Sequence, residues 1–191
     1  TGLDLVRKAS EETPPIEVTY YEKTFLVALL SFKRAGVDRA IIETGLGGRL
    51  DATRCVNADF CAITTISEDH LDILGPTLFD VAREKAGIYR TNVPLMMFDP
   101  DDEEIESQVR LLAGQDFLLH TDKSTDEPWE KWYNMASKIG DHMGWEKDPM
   151  NTRWPGRDGI LHTLGNVTVR LSAAHNLEGI SDEASRLDRD T

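Results

Sequence analysis

Cysteine is scarce in this sequence: 191 residues contain two, Cys55 and Cys61. Their surroundings are apolar and no paired motif flanks them. They supply neither a disulfide framework nor a zinc set, which needs more ligands at closer spacing. Both are expected to be reduced thiols of a cytoplasmic protein. Long apolar runs are also missing, and no stretch approaches the ~20 residues of a membrane-spanning helix. Positive charge is in deficit, since 21 Lys and Arg face 34 Asp and Glu, a net charge of −13. Nonspecific binding to nucleic acid or to an anionic membrane needs basic surface, so neither partner is expected. The chain opens Thr1-Gly2-Leu3-Asp4, with no initiating Met and no signal-peptide pattern, and is expected to start inside a longer protein. There is no internal repeat.

What is present fits a globular α/β protein. The length suits one domain with a sizeable core, or one domain plus part of another. Residues 1–15 are polar and end in Pro14-Pro15, which reads as a loop or linker. From Tyr21 to Ala35 the apolar residues Phe25, Leu26, Leu29, Leu30 and Phe32 recur at helical spacing, and Gly36 ends the pattern. Val37 to Glu43 and Phe60 to Ile66 read as strands, the second nearly continuous in apolar residues, like a strand buried on both faces of a parallel sheet. Thr77 opens a helix with Asp80 as reciprocal cap, running through Ala82, Lys85 and Ile88. Val93 to Phe98 is a third strand, Asp102 to Ala113 a helix and Asp116 to His120 a fourth strand. Strands alternating with helices imply a mostly parallel sheet with crossover helices.

The remainder has another texture. Pro128 to Trp145 reads as a helix whose Trp129, Trp132, Met135, Ile139 and Met143 form a core stripe. Gly159–Leu164 and Asn166–Leu171 read as a hairpin around Gly165, and His175-Asn176 enters a polar tail. A domain boundary is expected near residues 146–158, dividing the chain into units 1–150 and 151–191.

The most informative stretch is Glu43-Thr44-Gly45-Leu46-Gly47-Gly48-Arg49-Leu50-Asp51-Ala52-Thr53. An apolar run ends on one carboxylate and opens into three glycines, then Arg49 and Asp51. In open α/β sheets, ligands bind outside the carboxyl ends of the strands. His70 ends the next strand in the same way, after Ser67, Glu68 and Asp69. A carboxylate and a neutral imidazole suit a divalent ion. A surface or hydrogen-bonded histidine has the same local sequence, and two ligands alone do not define a site. Lys85 lies in Arg83-Glu84-Lys85-Ala86-Gly87-Ile88. It reads equally as a solvated lysine paired with Asp72 or Glu84, or as a point charge for phosphate.

Taken together these strings resemble the folylpolyglutamate synthase and dihydrofolate synthase family, within the wider Mur ligase group. The matching pieces run in family order: Thr19-Tyr20-Tyr21-Glu22, Glu43 through Thr53, Thr64 through His70, Leu74-Gly75, and Arg83 through Ile88. Trp154-Pro155-Gly156-Arg157 and Ala174-His175-Asn176 follow. The match is close over residues 19–98 and patchy afterwards. The resemblance implies a partial Mur-ligase-like central domain over residues 1–150 and the start of a C-terminal α/β domain over residues 151–191. It also implies ATP-dependent amide ligation, in which glutamate is added to dihydropteroate or a folate through an acyl phosphate. Glu43 and His70 correspond to ligands of Mg2+, and Lys85 to a lysine that the family carbamylates, the three forming the catalytic and metal site. Tyr21, Leu50, Asp51 and Ala52 correspond to substrate contacts on the pterin side, and Arg157 to a nucleotide contact. ATP enters as substrate.

The chain also departs from the family. No Gly-Lys-Gly-Ser phosphate loop occurs in these 191 residues, so the sequence is expected to begin with the central domain already under way and to be inactive alone. The stretch between His120 and Trp154 is too short for the family's Gly-x-His-Gln segment, and Ser172 stands where the family has Asp. A non-catalytic descendant that binds folate or a partner, and a Mur-type ligase for another substrate, are the alternatives. An open sheet edge would favour self-association.

Overall fold

The computed structural model describes residues 1–12, 14–122, 124, 128–146, 161–165, 167–170, 172, 174 and 176–187. Three parallel strands form the central sheet: β1 (Cys61–Ile63), β2 (Leu95–Phe98) and β3 (Phe117–His120), in that spatial order. Cys61 lies opposite Leu95, and Leu95 opposite Phe117. The helices between them are α3 (Leu71–Leu74), α4 (Leu78–Ala86) and α5 (Glu103–Ala113). The core joins Cys61, Ile63, Leu95, Met97 and Phe117 of the sheet to Ala86, Val109 and Ala113 of α4 and α5. This is the expected parallel α/β architecture. Each strand is short because its outer residues leave the ladder for the turns that carry polar groups.

Local chemistry sets the helix ends. Before α2 (Tyr20–Ala35), Thr19 and Glu22 form a capping box, and Gly36 closes the helix in the left-handed conformation at φ +64°. Thr77 and Asp80 form the expected box at α4. Asp102 caps α5 by accepting from the Glu104 and Ile105 N–H groups. The acids Glu103, Glu104 and Glu106 fill its first turn, where the helix dipole favours negative charge. The acidic run in this part of the sequence therefore has a structural account.

Three expectations fail. Residues 1–15 are not simply a loop, because α1 (Gly2–Ser10) occupies most of them. A Thr1–Asp4 capping box starts α1, and buried Val6 lies on the helix that packs against α2. Val37 to Glu43 joins no sheet among the described residues, and Ile41 is 91% exposed. A parallel strand needs a ladder partner, and this segment has none there. Beyond Asn176 the polar tail forms α7 (Leu177–Leu187), with the Asn176 side chain accepting from the Gly179 N–H. Finally, α4 ends at Ala86, with Gly87 as its cap, rather than reaching Ile88.

α6 (Pro128–His142) matches its expected helix but stops short of Trp145. It buries Met135, and His142 meets Phe60 edge-on. β4 (Leu161–Leu164) and β5 (Val167–Arg170) form the expected antiparallel hairpin, a sheet separate from the central one. The boundary expected near residues 146–158 lies almost wholly outside the described residues. No helix among the described residues is long and apolar enough to cross a membrane.

Candidate functional site

The glycine turn, residues 44–51, is built by close approach. Tyr21, in the first turn of α2, lays its ring on Gly45, where a Cβ would come 2.7 Å from Tyr21 Cζ. Its hydroxyl donates to the Glu43 carbonyl at 3.1 Å. Burial, then the negative charges of Asp51 and Glu43, push the Tyr21 phenol above its ordinary pKa. Gly47 takes φ +62° and packs against Leu74 of α3 and Glu84 of α4. At Gly48 a Cβ would fall 2.7 Å from the Lys85 carbonyl oxygen and 3.0 Å from the Ile88 nitrogen. Only a bare backbone fits there.

Asp51 holds this turn together. Its carboxylate accepts from Gly45 N at 2.8 Å, Leu46 N at 3.1 Å, Thr53 N at 2.9 Å and Thr53 Oγ1 at 2.7 Å. Burial pushes its pKa up, but the hydrogen bonds from Thr53, Leu46 and Gly45 outweigh it and hold the carboxyl below the usual range. The substrate contact expected of Asp51 thus meets a carboxylate whose two oxygens already serve four donors. Leu50 is exposed beside it, and Ala52 begins a short 3₁₀ turn, Ala52–Cys55.

The turn then locks to the end of α4. Arg49 donates its backbone N–H to the Glu84 carbonyl at 2.9 Å. Its Nε contacts both Glu84 carboxylate oxygens, at 2.9 and 3.1 Å. Glu84 therefore pairs with Arg49 and not with Lys85 as expected. Neither Glu84 nor Asp72 forms an ion pair with Lys85 among the described residues. Arg54 donates to the Gly87 and Tyr89 carbonyls, and Arg90 to those of Thr53, Val56 and Ile88. These arginines fix the chain just after Lys85.

The candidate residues are placed around this turn as follows. Glu43 is exposed and immediately precedes it. His70 caps α3 in the left-handed conformation at φ +51°, unusual for a residue with a Cβ and a place where strain is stored, and its Nε2 lies 3.8 Å from Asp69 Oδ1. Leu74, at the other end of that four-residue helix, touches Gly47. Lys85 is half-buried, and its own carbonyl faces Gly48. One turn thus meets the three segments that carry the three candidates. Among the described residues no three His, Cys, Asp or Glu side chains cluster as a metal site. Arg157 lies outside the described residues. Asn176 reaches back to Ser67, Nδ2 to Oγ at 3.5 Å, so the Ala-His-Asn string meets the segment leading to His70.

Sequence reasoning missed Arg49, Glu84 and Gly87. Their signal was present in two glycine-bearing strings, Gly-Gly-Arg and Lys-Ala-Gly. Glycines in a ligand-crevice turn commonly serve close packing against a helix as well as conformational freedom.

No family model matches the chain. It is 46% identical over 130 residues to the dihydrofolate synthase/folylpolyglutamate synthase of Haemophilus influenzae, an alignment covering 68% of this chain and 30% of that enzyme. Among solved structures it superposes on E. coli FolC in complex with DHPP and ADP with a TM-score of 0.77 and 27% identity, covering 98% of this chain and 51% of that one. A bifunctional folylpolyglutamate synthase/dihydrofolate synthase with Mn, AMPPNP and L-glutamate bound gives 26% identity and a TM-score of 0.77, with 98% and 52% coverage. The chain spans about a third of the curated relative and half of the solved structures. At 46% identity over 68% of its length to such an enzyme, and with the same fold, the chain belongs to the folylpolyglutamate synthase and dihydrofolate synthase family.

Proposed function

We propose that this chain forms the metal-facing and pterin-facing part of an ATP-dependent ligase of folate metabolism. The observation that carries the reading is the glycine turn, which touches the segments bearing Glu43, His70 and Lys85 in a chain 46% identical to such an enzyme. The overall reaction is activation of a pteroate or folate carboxylate by ATP as an acyl phosphate. The glutamate amine then displaces phosphate through a tetrahedral intermediate. Positioning and cation stabilisation carry most of such a catalysis.

The residues fit a divalent metal in donor type. Glu43 offers a carboxylate that is exposed to solvent, and His70 a half-exposed imidazole at the head of α3. No group of three or more His, Cys, Asp or Glu side chains is gathered for a metal among the described residues. That suits Mg2+, which keeps several waters and binds through few protein ligands plus phosphate oxygens. The metal, when bound, would neutralise phosphate charge. Lys85, carbamylated as in the family, would add an anionic oxygen; unmodified, it would meet phosphate as a cation. Tyr21 and Leu50 flank the turn on the side assigned to the pterin. Asp51 shapes that turn, and Arg157 is assigned to the nucleotide. Residues 1–150 form the central Mur-ligase-like unit and residues 151–191 the start of the C-terminal one, which the separate β4–β5 sheet supports. The setting is cytoplasmic, consistent with two free thiols.

The test is Mn2+ binding to the chain by electron paramagnetic resonance, with folate and dihydropteroate binding followed by intrinsic fluorescence. One bound Mn2+ is expected, lost in Glu43→Gln and His70→Ala, with pterin binding weakened in Leu50→Ser. A chain that binds neither metal nor pterin would sink the reading.

A further inference from the structure

Three kinds of contact converge on one junction between the glycine turn and the end of α4. The first is the ion pair in which the single donor Arg49 Nε is shared between both oxygens of Glu84, at 2.9 and 3.1 Å. The Glu84 side chain is 13% exposed and that of Arg49 50%, so the carboxylate end of the pair is shielded while the guanidinium end meets solvent. The second is the backbone hydrogen bond from Arg49 N–H to the Glu84 carbonyl, 2.9 Å. The third is a reciprocal pair of glycines. A Cβ on Gly48 would press on the Lys85 carbonyl at 2.7 Å, and one on Gly87 would lie 2.6 Å from Arg49 Cα. Each segment has given up a side chain where the other passes.

We propose that Arg49 and Glu84 are positioning residues, a latch that fixes the distance and angle between the Glu43-bearing turn and the Lys85-bearing end of α4. The inference rests on the reading of Glu43, His70 and Lys85 given above, and goes beyond it by naming the groups that set their spacing. The glycines allow close approach but give no direction. The ion pair does, because the Arg49 Nε–H lies in the guanidinium plane and reaches both Glu84 oxygens only when the carboxylate faces it along that one direction. The latch also occupies Glu84, the acid next to Lys85 in sequence. Lys85 is left without an ion-pair partner among the described residues, as a group that must meet a ligand requires. Both latch residues act through their neighbours and neither is assigned a substrate contact.

The experiment uses the whole chain in five forms: wild type, Arg49→Ala, Glu84→Gln, the swap Arg49→Glu with Glu84→Arg, and Val109→Ala. Val109 lies on α5 in the core cluster that also holds Ala86, and provides a control of lowered stability that leaves the Arg49–Glu84 contacts themselves intact. Amide hydrogen exchange at residues 44–49, compared at matched distance below each variant's melting temperature, is the deciding readout. The latch predicts exchange at least tenfold faster in Arg49→Ala and Glu84→Gln than in Val109→Ala, with recovery in the swap. Exchange no faster than in the control overturns it. Should Arg49→Ala fail to fold, Glu84→Gln and the swap decide by the same criterion. Mn2+ affinity is the second readout, with a loss of about tenfold expected in both single variants and none in Val109→Ala, the scale on which groups supporting metal ligands act. A wild-type chain that binds no Mn2+ overturns the metal reading, while amide exchange still decides the latch.

Discussion

Replacing Asp51 with alanine removes an acceptor that serves four donors in one turn, and the local structure sets the size of the effect. Thr53 is 3% exposed, so its N–H and hydroxyl cannot turn to water when the carboxylate goes. Leaving a buried donor unsatisfied costs about 1–3 kcal/mol. Gly45 is exposed and its N–H can rehydrate, so it adds little. The two Thr53 bonds therefore dominate, and Asp51→Ala should destabilise the chain by about 2–4 kcal/mol. Asp51→Asn keeps an acceptor oxygen for Thr53 and loses the charge, and should cost about half as much. Equilibrium urea unfolding measures both, with the midpoint falling at unchanged slope if only stability changes. The wild-type carboxyl is held below its ordinary pKa of 3.8, so its contribution is present above that value. It is lost as pH falls through the folded pKa. A loss below about 0.5 kcal/mol in Asp51→Ala would refute the reasoning. It would return Asp51 to the role of a substrate group with no structural duty.

His120 is 1% exposed at the end of β3 and packed edge-on against Phe98. Burial, then the charge of Lys138, hold its pKa below 6.5 against the opposing charge of Asp122. The unfolded chain then takes up the proton first, so stability falls as pH drops through about 6.5 toward the folded pKa. The gap between urea midpoints at pH 7.5 and 5.5 should narrow in His120→Leu, and an unchanged gap contradicts this assignment. Cys55 is exposed, whereas Cys61 is buried and its thiol pushed up by that burial. A colourimetric thiol reagent should titrate one group in the native chain and two in denaturant; two fast groups in the native chain would refute the placement. Gly87→Ala would set a methyl 2.6 Å from Arg49 Cα and should cost about 1–3 kcal/mol by thermal or urea unfolding, while a neutral result would mean that the junction yields.

Much of this architecture was legible because its signals are local. Thr19 with Glu22, and Thr77 with Asp80, mark helix starts through a reciprocal cap that three intervening bonds dictate. Leu95 to Phe98 is an apolar run covered on both faces at the centre of the sheet, whereas Cys61 to Ile63, equally apolar in sequence, is an edge strand that leaves Ala62 exposed. Val37 to Glu43 misled for the same reason. Its apolar run is strand-like, but pairing depends on a neighbour, and Ile41 has no ladder beside it. α1 was hidden by Glu11, Glu12 and the two prolines that follow, which outweighed Val6 and a cap at Thr1. The candidate site could be proposed from the sequence only as a set of types and positions: a carboxylate, an imidazole and a lysine near glycines. How the turn meets α4 was not legible, because Arg49 and Glu84 are 35 residues apart and no period links them. Asp51 looked like an acid offered to a ligand. Its four donors come from the turn it closes, which becomes visible only once the chain has bent back on itself.

The central claim is that this chain carries the metal-facing and pterin-facing part of a folate ligase. The most direct measurement is ATP- and glutamate-dependent ligation by E. coli FolC in which residues 19–98 of this chain replace the aligned segment. A folded chimera should form folylglutamate at a rate within about tenfold of the parent and lose that activity with Glu43→Gln or His70→Ala, the scale expected when a metal-assisted step is removed. A folded, nucleotide-binding chimera with no ligation, or one whose rate survives both substitutions, would contradict the account.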